Sequence, residues 1–275
     1  MDLENFGKKA EPLRCLGVKV SQHGVVIAHK VWDEECRRNV YSASKSVTSC
    51  AVGFAIQEGL LSLEERLVDA FPQDLPETVG ENLEKATVRD LLTMCLGQDH
   101  GELMGAQRPL YQEKDWVKLS LSLPFVYQPG SRFVYNNVGP YLAGVLVQRR
   151  AGCDLVSYLT PRLFDHLGIT RPTWEVDPQG YTFGQFYLQN GLWNGRQLLS
   201  PAWVKESTTK QVENGQQGYG YLFWGGPQGT FRADGKYGQL SILCRDKDAV
   251  ITVVAECRDV PSLMDAIFDE LYPQL

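Results

Sequence analysis

Strand-like segments lie at both ends of this 275-residue chain, and helical segments lie between them. Residues 17–32 alternate apolar and polar side chains around Gln22-His23-Gly24, which predicts a β-hairpin. Short apolar segments separated by Gly and Asp turns follow near the other end, at 219–224, 230–233, 239–244 and 250–256. Because neighbouring strands usually pair and a sheet needs its faces covered, we predict an α/β (α+β) fold. We expect an antiparallel sheet formed from both termini, flanked by helices, with an inserted helical lobe.

We expect one two-lobed domain over residues 1–275. The α/β lobe is predicted to take about residues 1–43 and 204–275, and the helical lobe about residues 44–203. Apolar spacing near 3.6 residues, with suitable residues at the ends, predicts the helices. They are expected at about 44–59, 81–95, 116–123, 138–150, 155–167 and 261–272, with another opening at Ser200-Pro201.

The chain has 27 basic and 33 acidic residues, which gives a formal net charge of -6. It has no basic surplus for binding nucleic acid or anionic lipid, so neither is an expected partner. The longest nearly uncharged stretch, residues 46–57, is too short and too polar to span a bilayer. Residues 1–16 carry no apolar stretch of signal-peptide length. We therefore expect a cytoplasmic protein if Met1 is the native start.

The cysteines and histidines form no recognisable metal or redox motif. The seven cysteines are widely spaced without a C-x-x-C pair, and the four histidines form no H-E-x-x-H. We expect buried or idle thiols, no metal site and no cofactor. No Walker lysine loop, dinucleotide fingerprint or G-x-S-x-G motif is present, which disfavours nucleotide binding and the α/β-hydrolase fold.

Ser42 and Lys45 form a Ser-x-x-Lys pattern directly before a long apolar helical run. Three residues are nearly one helical turn, so the two side chains share a helix face. A serine at a helix start lies at the positive end of the helix dipole, which favours a developing alkoxide. Lys45 can accept the hydroxyl proton if its pKa falls from about 10.4 toward 7, which requires burial or a neighbouring cation. The plainer alternative is that Ser42 only caps the helix.

A second copy of the pattern, Ser207-Thr-Thr-Lys210, shows that the spacing alone does not identify a nucleophile. This copy follows a predicted helix and enters the polar stretch 210–217. We therefore expect Ser207 to lie in a surface loop.

Two further motifs come later in the chain. Tyr135-x-Asn137 follows a Pro-Gly turn and opens a predicted helix. A tyrosine there can relay a proton and an amide can orient lysine and substrate; the alternative is a turn with a packed tyrosine. Residues 231–239 form a predicted strand that contains Gly235. A glycine inside a strand indicates close approach of a backbone or ligand, so an N–H here could form half of an oxyanion hole; a bulge or hairpin turn is the alternative.

In this order the three motifs resemble those of the serine β-lactamase and penicillin-binding-protein superfamily. The connecting segments are similar to those of class C-type serine hydrolases, at 86–94, 128–130, 167–168 and 191–203. Residues 233–239, Ala-x-Gly-x-x-Gly-Gln, resemble the esterase and nylon-oligomer hydrolase branch. The resemblance runs from about residue 14 to the C-terminus.

The resemblance implies a two-lobed, β-lactamase/transpeptidase-like fold and a covalent acyl-enzyme. Ser42 would be the nucleophile. Lys45 and Tyr135 would share the general-base and general-acid roles, and Asn137 would orient them.

The resemblance also implies an oxyanion hole made by the backbone N–H groups of Ser42 and Lys236. Gly235 and Gln239 would line the same substrate-binding site. Ala233 departs from the family pattern, because many lactamases and peptidases have Lys or His there. This departure argues against strong specificity for β-lactams or D-Ala-D-Ala peptides. The alternative is that the Lys236 side chain partly substitutes for the missing cation.

Two other departures lie near the expected cleft. The segment Gly180–Gln185 is shorter than in relatives, and residues 94–97 replace a His-Thr-Ser-Gly-like run. We expect the following residues, Gln98-Asp99-His100, to form a solvated loop.

Together these features predict a serine hydrolase that cleaves an ester or small amide through an acyl-serine. Its expected partner is a small-molecule substrate, and its rate is expected to rise as Lys45 or its partner loses a proton. One alternative is a β-lactamase or DD-peptidase-like penicillin-binding enzyme. Another is a non-catalytic binding module on this fold. The sequence specifies neither the substrate nor the oligomeric state.

Overall fold

The structure is a computed structural model that describes residues 1–34, 36, 38–170, 172–176, 182–183, 192–193 and 196–275. The strands of this part of the chain are β1 (Cys15–Gln22), β2 (Val25–Val31), β3 (Glu175–Val176), β4 (Thr182–Phe183), β5 (Leu192–Trp193), β6 (Arg196–Gln197), β7 (Trp224–Gly225), β8 (Phe231–Gly235), β9 (Gln239–Cys244) and β10 (Ala249–Ala255). The α-helices are α1 (Glu4–Ala10), α2 (Lys45–Gln57), α3 (Leu67–Ala70), α4 (Glu81–Lys85), α5 (Val88–Thr93), α6 (Trp116–Ser122), α7 (Val138–Ala151), α8 (Leu155–Leu159), α9 (Asp165–Leu167), α10 (Pro201–Ser207) and α11 (Val260–Glu270).

Six strands form one antiparallel sheet in the order β2-β1-β10-β9-β8-β7. The N-terminal hairpin joins the C-terminal strands through β1 and β10, with Val18 opposite Val253. Both ends of the chain therefore contribute to one sheet, which confirms the predicted fold class. The other described strands, β3 to β6, form two separate two-stranded ribbons.

The two faces of this sheet are buried against different helices. One face packs with α1 and α11 in a cluster that includes Phe6, Ile242 and Ile267. Leu243, the next residue of β9, belongs to a larger cluster that contains the buried residues of α2 and α7. Because successive side chains of a strand point to opposite faces, the sheet separates the two clusters. The predicted lobe boundaries, near residues 43 and 204, stay a prediction.

Helix α2 is buried on all sides from Lys45 to Ala55. A Cβ on Gly53 would lie 2.3 Å from the indole nitrogen of Trp203, so only glycine leaves room for that ring. The same indole nitrogen donates a hydrogen bond to the Ser49 carbonyl at 3.1 Å. Helix α10, which carries Trp203, therefore holds α2 in place, and α2 in turn fixes the residues at its own N-terminus.

Two predicted elements differ in the structure. Residues 81–95 form two short helices, α4 and α5, because Ala86 and Thr87 adopt extended backbone conformations between them. The predicted pairing of Thr87 with Asp90 is confirmed as a capping box. The predicted strand at 219–224 is wrong for most of its length, since Leu222 has a φ of 62° and strand β7 begins only at Trp224.

Within the described part of the chain, none of the helices has the length and apolar character needed to cross a membrane.

Candidate active site

Ser42 and Lys45 meet at the N-terminus of α2. Ser42 lies in a 3-10 turn, Tyr41–Ser44, which runs directly into α2, and Lys45 is the first residue of that helix. Nζ of Lys45 lies 2.9 Å from Oγ of Ser42. Lys45 is buried, whereas Ser42 is half-buried. The serine hydroxyl is thus placed between a buried amine and the accessible surface.

The environment of Lys45 favours its neutral form. Burial lowers the pKa of Lys45 to about 7, and the positive charge of Arg108 adds to this effect. The ring of Tyr135 lies 5.0 Å from Nζ and offers the ammonium form partial compensation. Near neutral pH a large fraction of Lys45 is therefore an uncharged amine, which can accept a proton from Ser42.

The pKa of Tyr135 is shifted in the opposite direction from that of Lys45. Burial raises the pKa of Tyr135 to about 12; its hydrogen bond with the Ser42 side chain opposes this rise, and the Asp234 carboxylate adds to it. Tyr135 therefore keeps its proton at a pH where Lys45 can lose one. Two titratable groups whose pKa values are pushed apart in this way can act as a base and a proton donor.

Asn137 lies at the start of α7 and connects the Tyr135-x-Asn137 motif to residues 102–104 of the loop before α6. Its amide nitrogen donates hydrogen bonds to the Leu103 carbonyl at 2.9 Å and to Sδ of Met104 at 3.5 Å. Its backbone N–H donates to the Glu102 carbonyl at 3.0 Å. The side-chain oxygen Oδ1 is buried and has no hydrogen-bond partner in the described residues. A role for this oxygen in orienting Lys45 or a substrate stays a prediction.

Gly235 brings strand β8 against the turn that carries Ser42. A Cβ at this position would lie 2.1 Å from the Val40 carbonyl oxygen, so any other residue would force the two backbones apart. The close approach places Lys236, the next residue, beside the Ser42 turn. The Lys236 side chain is exposed and its ammonium lies 4.9 Å from the ring centroid of Tyr237.

Gln239 lies opposite Gly235 on the neighbouring strand β9. Its Nε2 donates a hydrogen bond to the Ala255 carbonyl, and its Oε1 is buried without a partner in the described part of the chain. One half of the amide therefore stabilises the sheet. A part in substrate binding stays a prediction and rests on Oε1.

The sequence profile of the beta-lactamase family matches residues 10–183, more than half of the chain. The chain belongs to the beta-lactamase family. The match includes the three clustered side chains Ser42, Lys45 and Tyr135, and it includes Asn137.

Curated relatives of this beta-lactamase-family chain carry acyltransferase and esterase names. Monacolin J acid methylbutanoyltransferase from Aspergillus terreus is 30% identical over 164 residues, which are 52% of this chain and 39% of that protein. Lovastatin esterase from Penicillium rubens is 29% identical over 151 residues, or 47% of this chain and 37% of that protein. The chain thus spans about two fifths of the length of these relatives.

Solved structures of low sequence identity share the fold. One is a protein from Bacillus anthracis provisionally assigned as a 6-aminohexanoate-dimer hydrolase, with a TM-score of 0.79 and 16% identity. The similarity covers 97% of this chain and 81% of that one. At this identity the likeness supports the fold alone, and it agrees with the family match.

The structure adds three residues to the site that the sequence motifs did not indicate. Arg108 begins a short 3-10 turn, Arg108–Leu110, outside the sequence motifs, yet its positive charge acts on Lys45. Trp224 packs against Tyr135 with ring centroids 5.3 Å apart. The Asp234 carboxylate acts on Tyr135, while the Arg232 guanidinium donates to that carboxylate at 2.8 Å. The sequence does offer a weak signal for two of them, since Trp224 is an aromatic residue and Asp234 an acidic residue directly before a glycine. Arg108 carries no such signal.

Two sequence expectations for this beta-lactamase-family chain are wrong. Ser207 is fully buried at the end of α10 rather than in a surface loop, and its hydroxyl donates to the Val204 carbonyl at 3.2 Å. Lys210 pairs with Glu213 instead of Ser207, so the second Ser-x-x-Lys copy does not form a comparable pair. Gln98 is buried rather than solvated, although the neighbouring residues 99 and 100 are exposed.

The short segment predicted at Gly180–Gln185 lies outside the described residues, apart from the two residues of β4.

Proposed function

We propose that this chain is a serine hydrolase that cleaves an ester or a small amide through an acyl-serine intermediate. The observation that carries the proposal is the 2.9 Å contact between Nζ of Lys45 and Oγ of Ser42, with the amine buried and the hydroxyl accessible. A buried amine of lowered pKa beside a half-buried hydroxyl is the arrangement that activates a serine nucleophile.

Acylation begins when neutral Lys45 takes the proton of the Ser42 hydroxyl. Oγ then bonds to the substrate carbonyl carbon, and the carbonyl oxygen becomes an oxyanion that accepts hydrogen bonds from the N–H groups of Ser42 and Lys236. The bond to the leaving group breaks as Tyr135 donates a proton to the departing oxygen or nitrogen. The ammonium of Lys45 returns its proton toward Tyr135, and the acyl group stays on Ser42.

Deacylation uses the same groups with an acceptor in place of the leaving group. A water molecule gives a proton to neutral Lys45 and adds its oxygen to the acyl carbon. The bond between this carbon and Oγ then breaks, and Oγ takes the proton back from Lys45, which restores the serine hydroxyl and releases the acid. Hydrolysis is the outcome when water is the acceptor.

Acyl transfer to an alcohol is a second candidate, favoured by the names of the matched relatives. The relative from Aspergillus terreus is a methylbutanoyltransferase, and the chain matches 39% of it. An alcohol acceptor would use the same acyl-serine and the same base. Addition of an alcohol to the assay distinguishes the two, since a transferase forms a new ester in place of free acid.

Ala233 favours a neutral substrate over a β-lactam. It is buried on the sheet face that it shares with Gly235, and it supplies no cation for a substrate carboxylate. A β-lactamase or DD-peptidase activity would appear as nitrocefin hydrolysis or stable acylation by penicillin. A non-catalytic binding module would bind a ligand without any turnover.

A fluorophosphonate probe is expected to label the protein on Ser42, and a panel of p-nitrophenyl esters and anilides is expected to show turnover. Peptide mapping of the labelled chain identifies the modified serine. Ser207→Ala, which alters the second Ser-x-x-Lys copy, serves as the matched control and is expected to keep full labelling. Absence of both labelling and turnover, or a label on Ser207, would overturn the proposal.

The acylation rate is expected to rise through a pKa near 7, because Lys45 must be neutral to accept the serine proton. Arg108→Gln is expected to move this pKa upward, since it removes a positive charge that disfavours the ammonium form. Pre-steady-state acylation rates between pH 5 and 10 test both statements. A flat profile, or a downward shift in the variant, would contradict the assignment of Lys45 as the base.

A further inference from the structure

Two tyrosines flank the proposed oxyanion hole, one beside each backbone N–H donor. Tyr41 directly precedes Ser42, and Tyr237 directly follows Lys236 in the turn between β8 and β9. Their rings meet edge to face, with centroids 5.4 Å apart and an interplanar angle of 78°. In this geometry the positive edge of one ring faces the negative face of the other, which is attractive. The ring pair thus joins the two chain segments that supply the donors.

Both tyrosines hold a left-handed backbone conformation. The φ angle is 46° at Tyr41 and 68° at Tyr237. Residues with a Cβ rarely adopt this conformation, and it persists where surrounding contacts enforce it, often at functional sites. Here the Tyr41 N–H donates to Oδ1 of Asn39 at 2.8 Å, and the Tyr237 carbonyl accepts from the Cys257 N–H at 3.0 Å. Each tyrosine is therefore held by its backbone as well as by its ring.

A second contact joins the same two segments. A Cβ on Gly235 would lie only 2.1 Å from the Val40 carbonyl oxygen, so the two backbones touch at this point. Val40 comes just before Tyr41, and Gly235 comes just before Lys236. The segments 40–42 and 235–237 are therefore joined by a backbone contact and by a ring contact. A rigid pair of contacts of this kind can fix the separation of the N–H groups that lie between them.

We infer that Tyr41 and Tyr237 are positioning residues whose ring contact sets the separation of the two oxyanion donors, Ser42 N–H and Lys236 N–H. The inference rests on the proposed function, since it gives the pair a part in the acylation step. An edge-to-face contact needs the rings but not the hydroxyl groups, so phenylalanine is expected to replace either tyrosine. Loss of either ring removes the same contact, so removing the second ring as well is expected to lower the activity little further.

The test measures kcat and KM for a p-nitrophenyl ester in Tyr41→Ala, Tyr237→Ala, the double variant and both Tyr→Phe variants. Each alanine variant is expected to lose about 10- to 100-fold in kcat with KM within about threefold, because a misplaced donor weakens transition-state binding. The kcat of the double variant is expected to lie within about threefold of that of the less active single variant. The kcat of each phenylalanine variant is expected to lie within about threefold of wild type. Tyr272→Ala, which removes another aromatic pair, with Phe268, is the matched control and is expected to keep wild-type kcat.

A reversible trifluoromethyl ketone gives an independent readout, because its adduct with Ser42 carries an oxyanion. Its affinity is expected to fall in the alanine variants by the same factor as kcat/KM, while ester KM is retained. With an active wild type, four outcomes would each overturn the inference. They are wild-type kcat in the alanine variants, multiplicative losses of kcat in the double variant, an effect on KM alone, and losses of kcat in the phenylalanine variants as large as those in the alanine variants. A wild type that neither reacts with fluorophosphonate nor turns over would overturn the proposed function, and the inference with it.

Discussion

Ser42→Ala is expected to lower kcat/KM for ester hydrolysis by about 10⁴-fold or more and to abolish fluorophosphonate labelling. The variant keeps the buried Lys45, the Tyr135 hydroxyl and the oxyanion donors, but it has no oxygen that can form the acyl bond. In serine hydrolases, removal of the nucleophile leaves only a residual acceleration from binding and the oxyanion hole. Steady-state kinetics and probe labelling at pH 8 measure both effects.

The fold of Ser42→Ala is expected to stay intact. The side chain is half-buried and its hydroxyl forms hydrogen bonds with the side chains of Lys45 and Tyr135, so the loss in stability is expected to be about 1–2 kcal/mol. Thermal unfolding of the variant beside Ser207→Ala separates lost chemistry from lost folding. An Ser42→Ala protein that is folded and keeps more than about a tenth of wild-type activity would show that another residue carries the reaction.

Lys45→Met is expected to lower the acylation rate by about 10³-fold or more and to stabilise the protein at neutral pH. The rate falls because methionine cannot accept the serine proton. Stability rises because burial lowers the pKa of Lys45 from 10.5 to about 7, so folding disfavours the charged amine. A difference of this size corresponds to at most about 5 kcal/mol, and contacts of the ammonium with Ser42 and Tyr135 reduce the gain.

The pH dependence of this stabilisation has a definite sign. The unfolded chain binds a proton on Lys45 up to a pH near 10.5, whereas the folded chain releases it near 7. The cost of burying this lysine is therefore largest below pH 7 and disappears as the pH approaches 10.5. Lys45→Met is expected to be more stable than wild type at pH 6.5, with a smaller advantage at pH 9.5.

Urea unfolding at these two pH values tests the expectation, and Lys210→Met is the matched control. Lys210 is the lysine of the second Ser-x-x-Lys copy, is exposed and pairs with Glu213. Its replacement is expected to change neither the acylation rate nor the pH dependence of stability. A Lys45→Met variant that is less stable than wild type at pH 6.5 would show that the ammonium contacts outweigh the cost of burial.

The sequence predicted the elements whose signals are local. Alternation in residues 17–32 and the short apolar segment at 239–244 predict strands that the structure contains, and the predicted capping pair of Thr87 and Asp90 is confirmed. Residues 219–224 were misread as a strand, because their apolar character reflects burial of irregular backbone. Ser207 was misread as exposed, since its polar neighbours conceal the packing of the helix that it ends.

The Ser42–Lys45 contact was determined by the sequence alone, because a spacing of three residues at a helix start places two side chains on one face. The meeting of β8 with the Ser42 turn depends on pairing between segments about 190 residues apart in the chain. The lowered pKa of Lys45 and the raised pKa of Tyr135 depend on burial and on the charges of Arg108 and Asp234. Only the tertiary structure could decide these properties, because desolvation and Coulomb interactions depend on distance in space and not on distance along the chain.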